Sequence, residues 1–257
     1  MDTTRVAVLG AKGRMGAQTC EAVTGATDLE LVAALDIGDS AADAAAAGAQ
    51  VLVDFTAPSV TEANVHDALD AGLSVVVGTT GWNDESLGRV AKHLADLNVN
   101  RDAESQLGVL IAPNFAMSAV LAMKFAAIAA PLFESVEIVE LHHPDKLDAP
   151  SGTALKTAAG VAAARAAAGV GNPPDATESG HEARGMAVDG IPVHAVRLRG
   201  LVAHEEVLFG NPGEQLTIRT DCFDRISFMP GVVLGIREVL KHPGLTVGLE
   251  NYLPGLT

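Results

Sequence analysis

The chain has 257 residues, enough for one large domain or two small ones; 48% are hydrophobic and 19% charged, which supplies a substantial core and excludes wholesale disorder. The 32 acidic and 17 basic residues leave a formal net charge of −15, a surface that repels phosphate backbones and anionic lipid and so disfavours nucleic-acid and membrane-surface roles. No run approaches the roughly 18 uninterrupted apolar residues of a membrane span, residues 1–5 lack the regions of a signal peptide, and Cys20 and Cys222 are too few for a disulfide framework, so a cytoplasmic protein is expected. The charge also sets a condition. An anionic ligand would need a local basic island.

Arg5–Leu9 is a short apolar run ended by Gly10, and the helical periodicity after it places Met15, Cys20 and Val23 on one face. Leu29–Leu35 reads as a second strand ending at Asp36, and Val51–Phe55 as a third, with Ser59 the expected N-cap of a helix stopping near Gly72. The Ala-rich residues 41–49 are weakly patterned, a loop or short helix. Ser74–Val77 is a fourth strand, Asn83 or Asp84 opens the next helix, Asn98–Gln106 reads as an exposed loop, and Gly108–Ile111 is a fifth strand. Fully apolar strands separated by helices imply a parallel α/β sheet covered on both faces.

After about residue 116 the pattern changes. An apolar helix over Ser118–Ala130 leads to an alternating strand, Val136–Leu141, and a helix over Thr153–Ala168. Residues 169–190 are rich in Gly, Pro, Asp and Ser and read as loop; strands Val193–Leu198, Glu205–Phe209 and Gln215–Arg219 follow, with a turn at Asn211-Pro212-Gly213. This β-rich block predicts a second domain on an open mixed sheet. Pro230-Gly231 then precedes a helix over Val232–Leu240 that is expected to return to the first domain.

The turn Gly10-Ala11-Lys12-Gly13-Arg14-Met15-Gly16 lies between the first strand and first helix, where glycines allow a tight turn and close approach of a pyrophosphate to backbone. Its spacing is G-x-x-G-x-x-G, less specific than the commoner G-x-G-x-x-G. Asp36, at the end of the second strand, strengthens the reading, because a carboxylate there can accept hydrogen bonds from adenine ribose hydroxyls. Asp36 should repel a 2′-phosphate while Lys12 and Arg14, unless they are ordinary surface cations, attract it. Charges about 4 Å apart interact by about 4 kcal/mol at an effective dielectric near 20, so the opposing terms roughly cancel and both NADH and NADPH are expected to serve.

The densest chemistry lies at His142-His143-Pro144-Asp145-Lys146, where the strand over Val136–Leu141 ends, followed by Ser151-Gly152-Thr153 at a helix start. Two imidazoles and an ammonium supply the basic island, and the helix N-terminus favours an anion such as a carboxylate. Adjacent residues on an extended segment point to opposite sides, so His142 and His143 make a poor metal pair and no metal is expected. Ser151 lacks a G-x-S-x-G context and reads as a helix cap rather than a nucleophile. A solvated loop is the remaining bland reading.

The glycine turn together with Asp54-Phe55-Thr56, Val77-Gly78-Thr79-Thr80-Gly81, Ala112-Pro113-Asn114-Phe115 and the segment from Glu140 through Thr153 resembles the 4-hydroxy-tetrahydrodipicolinate reductase (dihydrodipicolinate reductase) family, from Val6 to about Leu249. The resemblance implies a Rossmann-like α/β nucleotide domain, residues 1–116 plus 227–257, with an inserted α+β substrate domain on an open mixed sheet, residues 117–226, that also makes homotetramer contacts. It implies reduction of a cyclic dianionic precursor in diaminopimelate and lysine biosynthesis with NADH or NADPH. It assigns Gly10, Ala11, Lys12, Gly13, Arg14, Met15 and Asp36 to the pyrophosphate and adenosine. Phe55, Gly78, Thr79, Thr80, Ala112, Pro113, Asn114 and Phe115 fall to the nicotinamide half. His142 and Lys146 take acid–base roles, and His143, Ser151, Gly152 and Thr153 the substrate carboxylates. Hinges are expected near Phe115–Met117 and Ile226–Ser227. A reductase of another small acid would have no reason to carry the His-His-Lys segment; a non-catalytic nucleotide sensor would bind NAD(H) with no substrate-dependent loss of absorbance, and a structural or interaction protein would have no need of a clustered basic pocket.

Overall fold

The computed structural model describes residues 3–253. In chain order the elements are β1 (Thr4–Leu9), α1 (Arg14–Gly25), β2 (Leu29–Leu35), α2 (Ala41–Ala46), β3 (Val51–Asp54), α3 (Thr61–Asp70), β4 (Ser74–Val77), α4 (Asp84–Asn98) and β5 (Gly108–Ile111). They continue with α5 (Met117–Ala129), β6 (Ser135–His142), α6 (Gly152–Ala167), β7 (Met186–Val188), β8 (Ile191–Arg197), β9 (Ala203–Asn211), β10 (Glu214–Cys222), α7 (Met229–Val239) and β11 (Gly244–Val247). The chain divides into two compact units, one running to Phe115 and resuming at Phe228, the other Ala116–Ser227. Among the described residues no helix is long and apolar enough to cross a membrane.

The first unit is a six-stranded sheet in the order β11-β5-β4-β3-β1-β2, with every pairing parallel. Strands β3, β4 and β5 are four residues each and buried throughout, as expected of β-branched runs covered on both faces. One face packs Leu52, Val75, Val109 and Ile111 against Val65 and Leu69 of α3 and Val90 and Leu94 of α4. Helices α1 and α7 pack together, and α7 also covers β4 and β5; a Cβ on Gly231 would stand 2.0 Å from the Phe115 carbonyl oxygen, so the start of α7 can lie this close only with glycine there.

Four details depart from the sequence reading. In α1 the buried face is Gly16, Thr19 and Val23, with Met15 and Cys20 half-buried; Thr19 is accommodated because its hydroxyl donates to Met15 O at 3.0 Å. Ser59 does not cap α3, which has Val60 at the N-cap and no side-chain cap bond. The N–H groups of Val60 and Thr61 both go to the Ala57 carbonyl, at 3.1 Å each, so the turn at Ala57-Pro58 supplies the acceptor instead. The sixth strand, β11, was not anticipated, because Gly244-Leu245-Thr246-Val247 is too short to declare itself before it pairs with β5. Within residues 169–190 lies a short edge strand, β7, paired antiparallel to β8. Elsewhere Asn83 caps α4 with a reciprocal bond to Ser86, and Ser40 caps the helix at Ala41–Ala46.

The second unit is a five-stranded mixed sheet, β10-β9-β6-β8-β7, in which β6 and β8 are parallel and the other pairs antiparallel. Ile138, Val193, Val207 and Phe209 face Ala154, Ala158 and Val161 of α6 in its core. On that inner face, at the end where β6 gives way to α6, sit Glu140, His142, Arg197 and Glu205.

Candidate active site

In the first unit the carboxyl ends of the parallel strands share one edge, and the order of strands reverses at β1, the place where open α/β sheets bind ligands. A cleft of about 520 Å³ opens there, lined by Gly10, Gly13, Asp36, Asp39, Phe55 and Asn64 among others. Gly10 has φ +83°, and a Cβ on it would lie 2.5 Å from the Phe55 carbonyl oxygen; one on Gly16 would lie 2.0 Å from the Gly10 carbonyl. Helix α1 begins at Gly13 without a side-chain cap, which leaves its first turn of N–H groups suited to an anion. The cradle therefore fits a dinucleotide pyrophosphate.

Asp36 braces this turn. Its Oδ2 accepts the Lys12 backbone N–H at 2.7 Å and its Oδ1 the Ile37 N–H at 2.8 Å. Those two bonds, Ile37 first, hold its carboxyl below the usual range. Lys12 and Arg14 are exposed and lie outside the cleft lining.

The loops after β3 and β4 are tied by a residue that sequence reasoning passed over. Asp54, fully buried, accepts from Thr56 N–H at 2.9 Å, Thr56 Oγ1 at 2.7 Å, Thr79 Oγ1 at 2.9 Å and Asn64 Nδ2 at 2.9 Å. Thr79 is thus fixed beside Gly78, where a Cβ would strike the Phe55 ring at 2.0 Å. Phe55 meets Phe115 edge-on at 5.9 Å. The segment Ala112–Phe115 follows β5, with Ala112 N–H donating to Val77 O at 3.0 Å. Thr80 is exposed.

In the second unit the basic cluster is organised around Glu140, whose side chain is wholly buried. It accepts His142 Nδ1–H at 2.6 Å, the two terminal nitrogens of Arg197 at 2.8 Å each, and the Ser151 backbone N–H at 3.1 Å. Burial alone would raise the Glu140 carboxyl, but the bonds from Arg197 and His142 hold it below its ordinary value. The Glu140 contact fixes the His142 tautomer, with Nδ1 protonated and Nε2 left to exchange a proton. Burial pushes the His142 imidazole below its ordinary range, opposed by the bond to Glu140. Lys146 Nζ pairs with Asp148 at 2.7 Å, which lowers the Asp148 carboxyl, and Arg197 also donates to the Asp148 carbonyl at 2.7 Å. The Ser151 hydroxyl accepts the Ala154 N–H at 3.2 Å and caps α6; Gly152 and Thr153 form the first turn behind it.

His142, His143, Lys146, Ser151, Gly152 and Thr153 are therefore gathered at one end of one sheet. Glu140, Arg197 and Asp148 complete the cluster and were not singled out from sequence. The available signal was the period of two along β6, which places Glu140 on the same face as His142.

The family profile of the dihydrodipicolinate reductase N-terminus matches residues 4–115, and that of its C-terminus matches residues 118–253. The chain belongs to the dihydrodipicolinate reductase family. It is 64% identical over 252 residues to the 4-hydroxy-tetrahydrodipicolinate reductase of Beutenbergia cavernae, covering 98% of this chain and 99% of that one. The Streptomyces coelicolor reductase is 57% identical over 254 residues, with coverage of 98% and 99%. A dipicolinate-bound dihydrodipicolinate reductase from a Paenisporosarcina species shares the structure with a TM-score of 0.83 at 39% identity, over 98% of this chain and 100% of that one. An engineered D-amino acid dehydrogenase, 14% identical with a TM-score of 0.54, shares the fold alone. The chain is thus an oxidoreductase that reduces 4-hydroxy-tetrahydrodipicolinate in diaminopimelate and lysine biosynthesis, and residues 4–115 are the dinucleotide-binding part of an NAD(P)H-dependent family.

Proposed function

We propose that the first unit holds the dinucleotide, with Gly10–Met15 at the pyrophosphate, Asp36 at the adenine ribose, and Phe55, Gly78, Thr79, Thr80 and Ala112–Phe115 around the nicotinamide half. Bound there, the cofactor supplies the hydride. The residues of the second unit supply everything else. His143 and the Ser151-Gly152-Thr153 helix start hold the carboxylates of a cyclic dianionic substrate, in keeping with the dicarboxylate bound by the Paenisporosarcina relative. Exchange of the 4-hydroxyl for hydrogen takes one hydride and one proton and releases water. The proton comes from the cluster: Lys146, charged against Asp148, donates it, while His142 enters neutral and orients the exchange through Nε2.

The observation that carries this reading is the buried Glu140 carboxylate, which locks His142, four residues before Lys146, together with Arg197 of β8 and bonds to the start of α6. Asp36 and Asp39 oppose a 2′-phosphate while Lys12 and Arg14 attract it, so both NADH and NADPH serve. The assembly is a homotetramer built through the second unit's sheet. The test is a coupled assay in which the upstream synthase generates the unstable substrate and oxidation of NADH or NADPH is followed by absorbance. Turnover that depends on the synthase product supports the reading, and oxidation without it, or none at all, contradicts it.

A further inference from the structure

Glu205 faces Glu140 directly across the β6–β9 pairing, and it is only 4% exposed. Two opposed buried carboxyls repel strongly if both are charged, unless donors serve both. Here the donors go one way. The two terminal Arg197 nitrogens, His142 Nδ1–H and Ser151 N–H all donate to Glu140, while among the described residues the Glu205 side chain is hydrogen-bonded to Thr157, at 2.7 Å through Oε1, and its buried Oε2 has no hydrogen-bond partner.

The Thr157 hydroxyl also lies 3.0 Å from the Thr153 carbonyl, one turn earlier in α6. A hydroxyl has a single hydrogen. With that hydrogen on the Thr153 carbonyl, the contact to Glu205 is a hydrogen bond only if the carboxyl carries a proton and donates it. A neutral acid also leaves a carbonyl oxygen, rather than an ionised one, unpartnered in the interior, which is far less unfavourable. Burial pushes the Glu205 pKa up to about 7, and the Glu140 charge adds to the rise.

We propose that Glu205 is a positioning residue that works as the neutral acid. The chain from its O–H through Thr157 to the Thr153 carbonyl braces the first turn of α6, and loss of its proton puts a second negative charge behind the helix start and weakens anion binding there. This rests on the reading that the α6 start receives a substrate carboxylate. Around Glu205, the inner face of the sheet carries Glu140 and His142 on β6, Arg197 on β8, and Cys222 and Glu214 on β10; the helices packed on that face contribute Lys124 from α5 and Lys156 and Arg165 from α6. Of these, Glu140 is the group whose charge acts on Glu205.

The test uses calorimetric binding of pyridine-2,6-dicarboxylate from pH 6 to pH 8 in wild type and Glu205→Gln. His142, His143 and Lys146 are common to both proteins, so comparing the two slopes isolates Glu205. The wild-type Kd should rise about threefold more over that interval than the variant's, the size expected of a unit charge roughly 10 Å away at an effective dielectric of about 40. Thr157→Val, which removes the acceptor of the Glu205 proton, should move the wild-type limb to lower pH. Without ligand, the folded value of about 7 lies above the ordinary 4.5, so stability conferred by the protonated carboxyl is lost as pH rises through that window, and the Tm of Glu205→Gln should gain on wild type across it. Parallel Kd slopes, together with weakened binding in His143→Ala, overturn this proposal and leave the substrate reading standing. Parallel slopes with undiminished binding in His143→Ala overturn both, and a constant Tm gap overturns the protonated state.

Discussion

Replacing Glu140 by Gln changes one charge at nearly constant volume, and the cluster around it converts that change into a measurable loss. Four N–H donors converge on the two carboxylate oxygens, from Arg197 twice, His142 and Ser151. A Gln side chain offers one acceptor oxygen and turns an NH2 toward the remaining donors. Arg197, with a side chain 20% exposed, is left without its countercharge, and breaking such a buried pair costs about 3–5 kcal/mol, roughly 10 °C in Tm for a chain of this size. His142 loses the carboxylate that fixes its tautomer, so kcat should fall at least about a hundredfold, as when the carboxylate orienting a catalytic imidazole is neutralised. The Glu140 charge favours the imidazolium, so its removal should also move the acid limb of the kcat/KM profile to lower pH. The coupled assay, run well below the variant's Tm so that it stays folded, reads all three. A Glu140→Gln enzyme with wild-type kcat, or with an acid limb displaced upward, would show that Glu140 does not orient His142.

His142→Ala and Lys146→Ala should each lower kcat at least about tenfold while the thermal unfolding transition remains cooperative; wild-type turnover in either removes that residue from the chemistry. Gly10→Ala should weaken NADH binding at least about tenfold by fluorescence titration, because the new Cβ would meet the Phe55 carbonyl at 2.5 Å from a backbone at φ +83°; wild-type affinity would show that the turn is not the cradle. The kcat/KM ratio for NADH and NADPH should stay within about a hundredfold, and Asp36→Asn should shift it toward NADPH by removing the opposing charge. A larger native preference, or a shift toward NADH, would break the balance argued for Asp36 against Lys12 and Arg14.

The sequence made the strands of the first unit legible because they are unbroken apolar runs buried on both faces, as Val51–Val53 and Val75–Val77 show. It also made the ligand-facing residues legible, since the Gly10–Gly16 turn and the His142–Lys146 segment are dense local signals. What it hid are groups whose meaning arises from distant partners. Glu140 is an ordinary polar position in an alternating strand until Arg197, far along the chain, pairs with it through β8. Asp54 looks like the polar end of a strand until Thr79 and Asn64 close on it. The strand at Gly244–Val247 acquires its identity only beside β5, and Ser59 was displaced as a cap by the Ala57 carbonyl, a backbone choice that composition does not encode.

The imidazole and ammonium groups at the end of β6, with the start of α6, form the seat proposed for the substrate dicarboxylate. A crystal structure of the enzyme grown with a reduced nicotinamide dinucleotide and pyridine-2,6-dicarboxylate tests it most directly. One carboxylate should sit on the N–H groups of Gly152 and Thr153, with His143 and Lys146 within hydrogen-bond distance of the ligand. A dicarboxylate bound away from these residues would contradict it.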